Sequence, residues 1–107
     1  MAKLITVYWR DIPAQVIGRQ GRTNFKKVLS PRFARAIDRA AMRAGRGSSD
    51  AYLSDWHRES SPCDGALEQA VIDEVARLED AFPDELLEAI VKRGGRVEIQ
   101  EDRQDPQ

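Results

Sequence analysis

The stretch SPRFARAIDRAAMRAG, residues 30–45, constrains this chain more than any other. Phe33, Ala36, Ile37, Ala40, Ala41 and Ala44 recur at spacings of three and four, which a helix gathers into one apolar stripe. Ser30 suits the N-cap, Pro31 the first helical position, and Gly45 a left-handed C-cap. A stripe made mostly of alanine lets the helix come close to whatever lies beneath it, and a sheet fits that requirement. Beside it Arg32, Arg35, Arg39, Arg43 and Arg46 step by three or four, a second and cationic stripe.

The sheet is sought first at the N-terminus. KLITVYW (3–9) is rich in β-branched and aromatic residues and reads as a strand, with Ile5, Val7 and Trp9 on one face and Leu4, Thr6 and Tyr8 on the other. RDIP follows as a turn, because the residue before Pro13 is pushed out of the α region. AQVIG (14–18) reads as a short second strand, with Gly18 and Gly21 bracketing a turn. AYLSDWHR (51–58) reads as a further strand, and Ser61-Pro62 as a helix start that places Cys63 in a first turn. ALEQAVIDEVARLEDAF (66–82) is helical, with Leu67, Val71, Val75, Leu78 and Phe82 inward. Pro83 restarts a helix carrying Leu86, Leu87, Ile90 and Val91, which Gly94 ends. RVEIQ (96–100) alternates as a last strand, and EDRQDPQ (101–107) reads as a disordered polar tail. The expectation is one α+β domain over residues 1–100, a small sheet of about four strands with helices packed on one face, in the order β(β)αβααβ.

Charge is distributed unevenly along the chain. Residues 1–58 hold twelve Lys and Arg against four Asp, net +8, and residues 59–107 hold five basic against fourteen acidic residues, net −9. Either the two halves neutralise each other on packing, or the basic half presents a field that steers a partner. No apolar run approaches the ~20 residues a membrane helix needs. One cysteine, Cys63, forms no internal disulfide, so the expected compartment is the cytoplasm.

Three groups of residues are candidates for chemistry. VIGRQGRTNFKK (16–27) sets Gly18 and Gly21 three apart among Arg19, Arg22, Lys26 and Lys27. It resembles the G-x-x-G segment of KH domains, which implies a clamp on a nucleic-acid backbone. The Ser-Pro break after it and the long helices that follow differ from that fold, and a turn leaving a hairpin fits the surroundings better. The second candidate is the helical stripe of Arg32, Arg35, Arg39 and Arg43, suited to phosphates or to an acidic protein surface. The third is His57 with Cys63, which would need a third group and a mutual distance of ~3 Å to act as a nucleophilic pair, or two carboxylates such as Asp55 and Asp64 to hold zinc. Adjacent acid pairs such as Asp73–Glu74 and Asp84–Glu85 diverge around their helices and suit solvent rather than acid–base work. Neither a catalytic motif nor a cofactor or metal is expected.

ITVYWRDIPAQVIGR, RFARAIDRAAMRAG and DAYLSDWHRE together resemble the small bacterial "virulence factor" domain family. In that family the position of His57 is usually Arg, which implies no catalytic role for the histidine. The resemblance implies no particular reaction; it implies an association with corrinoid- and folate-dependent methyl-transfer enzymes. The functional expectation is therefore a non-enzymatic accessory or interaction module. Its basic face (Arg19, Arg22, Lys26, Lys27, Arg32, Arg35, Arg39 and Arg43, with the loop glycines Gly18 and Gly21) would take an acidic protein partner or a phosphorylated ligand. Nucleic-acid binding through the G-x-x-G loop and the Arg-rich helix is the alternative.

Overall fold

A computed structural model describes residues 2–45 and 49–97. The chain forms β1 (Ala2–Trp9), β2 (Ile12–Gln20), β3 (Thr23–Val28), α1 (Pro31–Arg43), α2 (Ser49–Ser54), β4 (Trp56–Pro62), α3 (Leu67–Ala81) and α4 (Asp84–Lys92). The four strands make one antiparallel sheet in the order β3-β2-β1-β4. The α+β class follows, with four strands and four helices among the described residues.

Several local expectations need correction. Gly18 and Gly21 do not bracket a turn: β2 runs through Gly18 to Gln20, and the chain reverses at Gly21, whose φ of +60° suits glycine. Residues 23–28 then return as β3, an edge strand in which only Phe25 packs towards the core, so its sequence lacks an apolar alternation. Residues 51–58 are not one strand. Tyr52 belongs to α2, where its carbonyl accepts the Trp9 indole N–H at 2.9 Å and its ring stacks on Trp9 at 5.9 Å. The strand begins at Trp56 and consumes Ser61 and Pro62, so α3 starts only at Leu67 and Cys63 lies outside it. The Cys63 N–H donates instead to the Ala2 carbonyl at 3.1 Å. Arg96 and Val97 are not in a strand, and the remainder of the expected last strand and the polar tail lie outside the described residues.

The core gathers Trp9, Ile12 and Val16 from the sheet with Phe33, Ile37 and Ala40 of α1, Val71, Val75 and Leu78 of α3, and Leu87, Ile90 and Val91 of α4. The helix that lies on the sheet most closely is α3 rather than the alanine-striped α1. A Cβ at Gly18 would stand 2.7 Å from Val71 Cγ2 and 2.9 Å from Leu67, so β2 and α3 meet there only because a side chain is missing. The small stripe of α1 is used against α4 and against β2.

The segment Trp9-Arg10-Asp11 locks the ends of these elements together. Arg10 holds a left-handed φ of 53°, a strained value for a residue with a Cβ. Its Nε meets Asp55 Oδ2 at 3.1 Å, its Nη1 donates to the Gly94 carbonyl at 3.0 Å, and its guanidinium lies 5.2 Å from the Trp9 ring. Asp11 accepts the Val97 N–H at 2.7 Å, and its own N–H donates to the Gly95 carbonyl. The strained turn is thus held from α2, β4 and the end of α4 together.

Candidate functional site

The arginines of α1 face the acidic half of the chain. Arg32 contacts Glu79 Oε1 at 3.1 Å and Asp84 Oδ1 at 3.3 Å, and also donates to the carbonyls of Glu79 and Phe82. Arg39 grips Glu88 in a fork, 2.8 and 2.9 Å. Arg43 donates to the Lys92 carbonyl. Arg35 lines the same groove between α1 and α4, beside Leu87 and Glu88, and forms no ion pair among the described residues.

Ser30 departs from its expected role at this seam. Its hydroxyl makes no cap bond to its own helix; hydroxyl and backbone N–H both donate to the Glu79 carboxylate, at 2.9 and 2.7 Å. Desolvation alone would push the Glu79 carboxyl up, but the two Ser30 donors and Arg32 outweigh it and hold the group below the usual carboxylate value. The hydrogen bond from Arg39 lowers Glu88 likewise. These pairs join helices and leave Arg32 and Arg39 occupied.

The hairpin cations separate by strand register. Directly opposed residues of neighbouring strands project from the same face of the sheet. Gly18, which touches α3, is opposite Leu4 and Phe25. The other face therefore carries Lys3, Ile5 and Val7 of β1 with Arg19, Ile17 and Gln15 of β2, then Asn24, Lys26 and Val28 of β3, and Ser60 and Arg58 of β4. Lys27 is opposite Val16 and belongs to the α3 side, while Arg22 sits in the turn at the hairpin tip. Of the sequence candidates, Arg19 and Lys26 thus come together, and Lys3 and Arg58 join them. Arg19 donates through Nε to Asn24 Oδ1 at 3.0 Å, which fixes its side chain along the face. Lys3, Arg19, Lys26 and Arg58 form no ion pair among the described residues, unlike Arg32 and Arg39 of α1. Sequence reasoning missed Lys3 and Arg58 because each stands alone in its segment. Only the register Lys3↔Arg19 and Val7↔Arg58 unites residues so far apart in the chain.

His57 stands near the start of β4 and Cys63 just past its end. Six steps of ~3.3 Å place them roughly 20 Å apart, well beyond any nucleophile–base contact. His57 stacks on Tyr8 with ring centroids 5.4 Å apart, and its Nε2 lies 2.6 Å from the Arg10 carbonyl, which makes that nitrogen the donor. Among the described residues no group of His, Cys, Asp or Glu converges as a metal would require. None of the helices so described is long and apolar enough to cross a membrane.

A family model described as "Virulence factor" matches residues 7–91, well over half of the chain. No curated protein and no solved structure matches it.

Proposed function

The chain belongs to the virulence-factor family, and from that premise we propose that it works as a non-enzymatic interaction module, binding an acidic protein partner through the sheet face opposite α3. The observation that supports this is the register, which sets Lys3, Arg19, Lys26 and Arg58 around the apolar row of Ile5, Val7 and Ile17. Ile5 is already buried at 3% exposure, so the half-buried Val7 and Ile17 supply the apolar surface that remains, and cations without ion pairs around it steer an acidic surface onto it. Within the wider basic set, Arg22 and Lys27 extend the field around the hairpin. Arg32, Arg39 and Arg43 contribute mainly by tying α1 to α3 and α4, and Arg35 adds charge along the α1–α4 groove. The family resemblance makes a protein of corrinoid- and folate-dependent methyl transfer the first candidate for that partner.

Poly-glutamate is a direct probe of the face. Binding should weaken as salt rises, and Lys26→Glu with Arg58→Glu should lower affinity at least tenfold while stability stays unchanged. Arg39→Glu should do the reverse, with binding within about twofold and stability slightly reduced, because it breaks an exposed fork to Glu88 and sets two like charges side by side. If a mixed-sequence oligonucleotide binds and poly-glutamate does not, the function is nucleic-acid binding at the hairpin, the alternative reading.

A further inference from the structure

Trp56 lines two depressions and forms the ridge they share, one mainly apolar and the other mixed. On one side lies a cleft of about 160 Å³, lined by Ala14, Leu29 and Ile37 with Val28, Tyr52 and Trp56 as walls and Asp38 at the rim. On the other lies a shallower depression lined by Val7, Gln15, His57 and Arg58. Gln15 and Val28 are directly opposed in the sheet, so the depressions adjoin on the cationic face. Val28 is 62% exposed, an apolar lip left open to solvent.

We propose that this pair of depressions is the anchor point of the interaction, receiving a linear acidic segment of the partner that carries one bulky apolar side chain, Phe or Leu, next to a Glu or Asp. This rests on the reading of the cationic face given above. An apolar cavity of ~150 Å³ holds a benzene-sized group, so the cleft accommodates one aromatic ring or branched aliphatic side chain. Across the ridge the carboxylate meets Arg58, with Lys26 and Arg19 further along the face. Asp38 repels a carboxylate at the cleft rim, so the segment has a fixed polarity: apolar group on the α1 side of Trp56, acid on the Arg58 side. Trp56 between them has the size and amphipathic character of a binding hot spot.

The test uses two labelled peptides, Glu-Glu-Phe-Glu-Glu and the same sequence with Ala at the centre, titrated into the full chain. The Phe peptide should bind about tenfold tighter. Ala34, at the cleft on the exposed side of α1, provides the blocking variant. Ala34→Phe should reduce the preference to within twofold while leaving affinity for the Ala peptide intact, and Arg58→Glu should weaken both peptides alike. Equal, salt-sensitive binding of the two peptides would overturn the anchor and leave the cationic face standing. A preference that survives Ala34→Phe would also overturn it. Binding of neither peptide would overturn both proposals.

Discussion

At the scale of single residues, two positions are set by contact geometry rather than by charge. Gly18 looks like part of a phosphate-gripping loop in the sequence, yet its missing side chain is what lets α3 lie on β2. Gly18→Ala puts a Cβ within 2.9 Å of Leu67 and Val71, and should cost about 1–3 kcal/mol by overpacking, seen as a lower urea midpoint. No change in anion binding should accompany it. Arg10 carries backbone strain because Asp55, Gly94 and Trp9 hold its side chain. Arg10→Ala keeps the strain and removes the holders. A loss of about 1–3 kcal/mol is expected in chemical unfolding, since the bonds from Arg10 to Asp55 and to the Gly94 carbonyl go together with its packing on Trp9. The Trp9-Arg10-Asp11 run thus acts as a structural lock.

At the scale of elements, the seam between α1 and the α3–α4 pair is electrostatic at its edge and apolar within. Glu79 has a folded value below its ordinary 4.5, so the stability it contributes is fully present above about pH 4.5 and is lost as pH falls through the lowered value. Glu79→Gln should reduce stability at pH 7 and flatten the decline in thermal midpoint between neutral pH and pH 3. An unchanged acid slope would mean that other carboxylates govern it. The helices on this seam are legible in the sequence because their apolar spacing is long and regular, as in Val71, Val75 and Leu78. The edge strands β3 and β4 are not, since TNFKKV and WHRESSP each place few side chains in the core and so carry little alternation. Ser30 was recognisable as a helix-start residue, but that its donors would go to Glu79, far along the chain, is a tertiary fact. The same limit hid the candidate site. Arg19 and Lys26 could be read as cations, but their face-sharing with Lys3 and Arg58 depends on strand register.

At the scale of the whole molecule, the basic and acidic halves partly cancel, but they do so unevenly. Helix α1 spends Arg32 and Arg39 on Glu79, Asp84 and Glu88, whereas the sheet keeps Lys3, Arg19, Lys26 and Arg58 out of such pairs among the described residues. On the proposed reading, cohesion falls to Arg32 and Arg39 and recognition to the sheet cations. Titration of the isotope-labelled chain with poly-glutamate, followed by amide NMR shifts, tests this division most directly. The largest changes should fall on residues 3–7, 15–19, 24–28 and 56–60, with α1 unmoved beyond its contact at the cleft; changes centred on Arg35, Arg39 and Arg43 with a silent sheet would overturn the division.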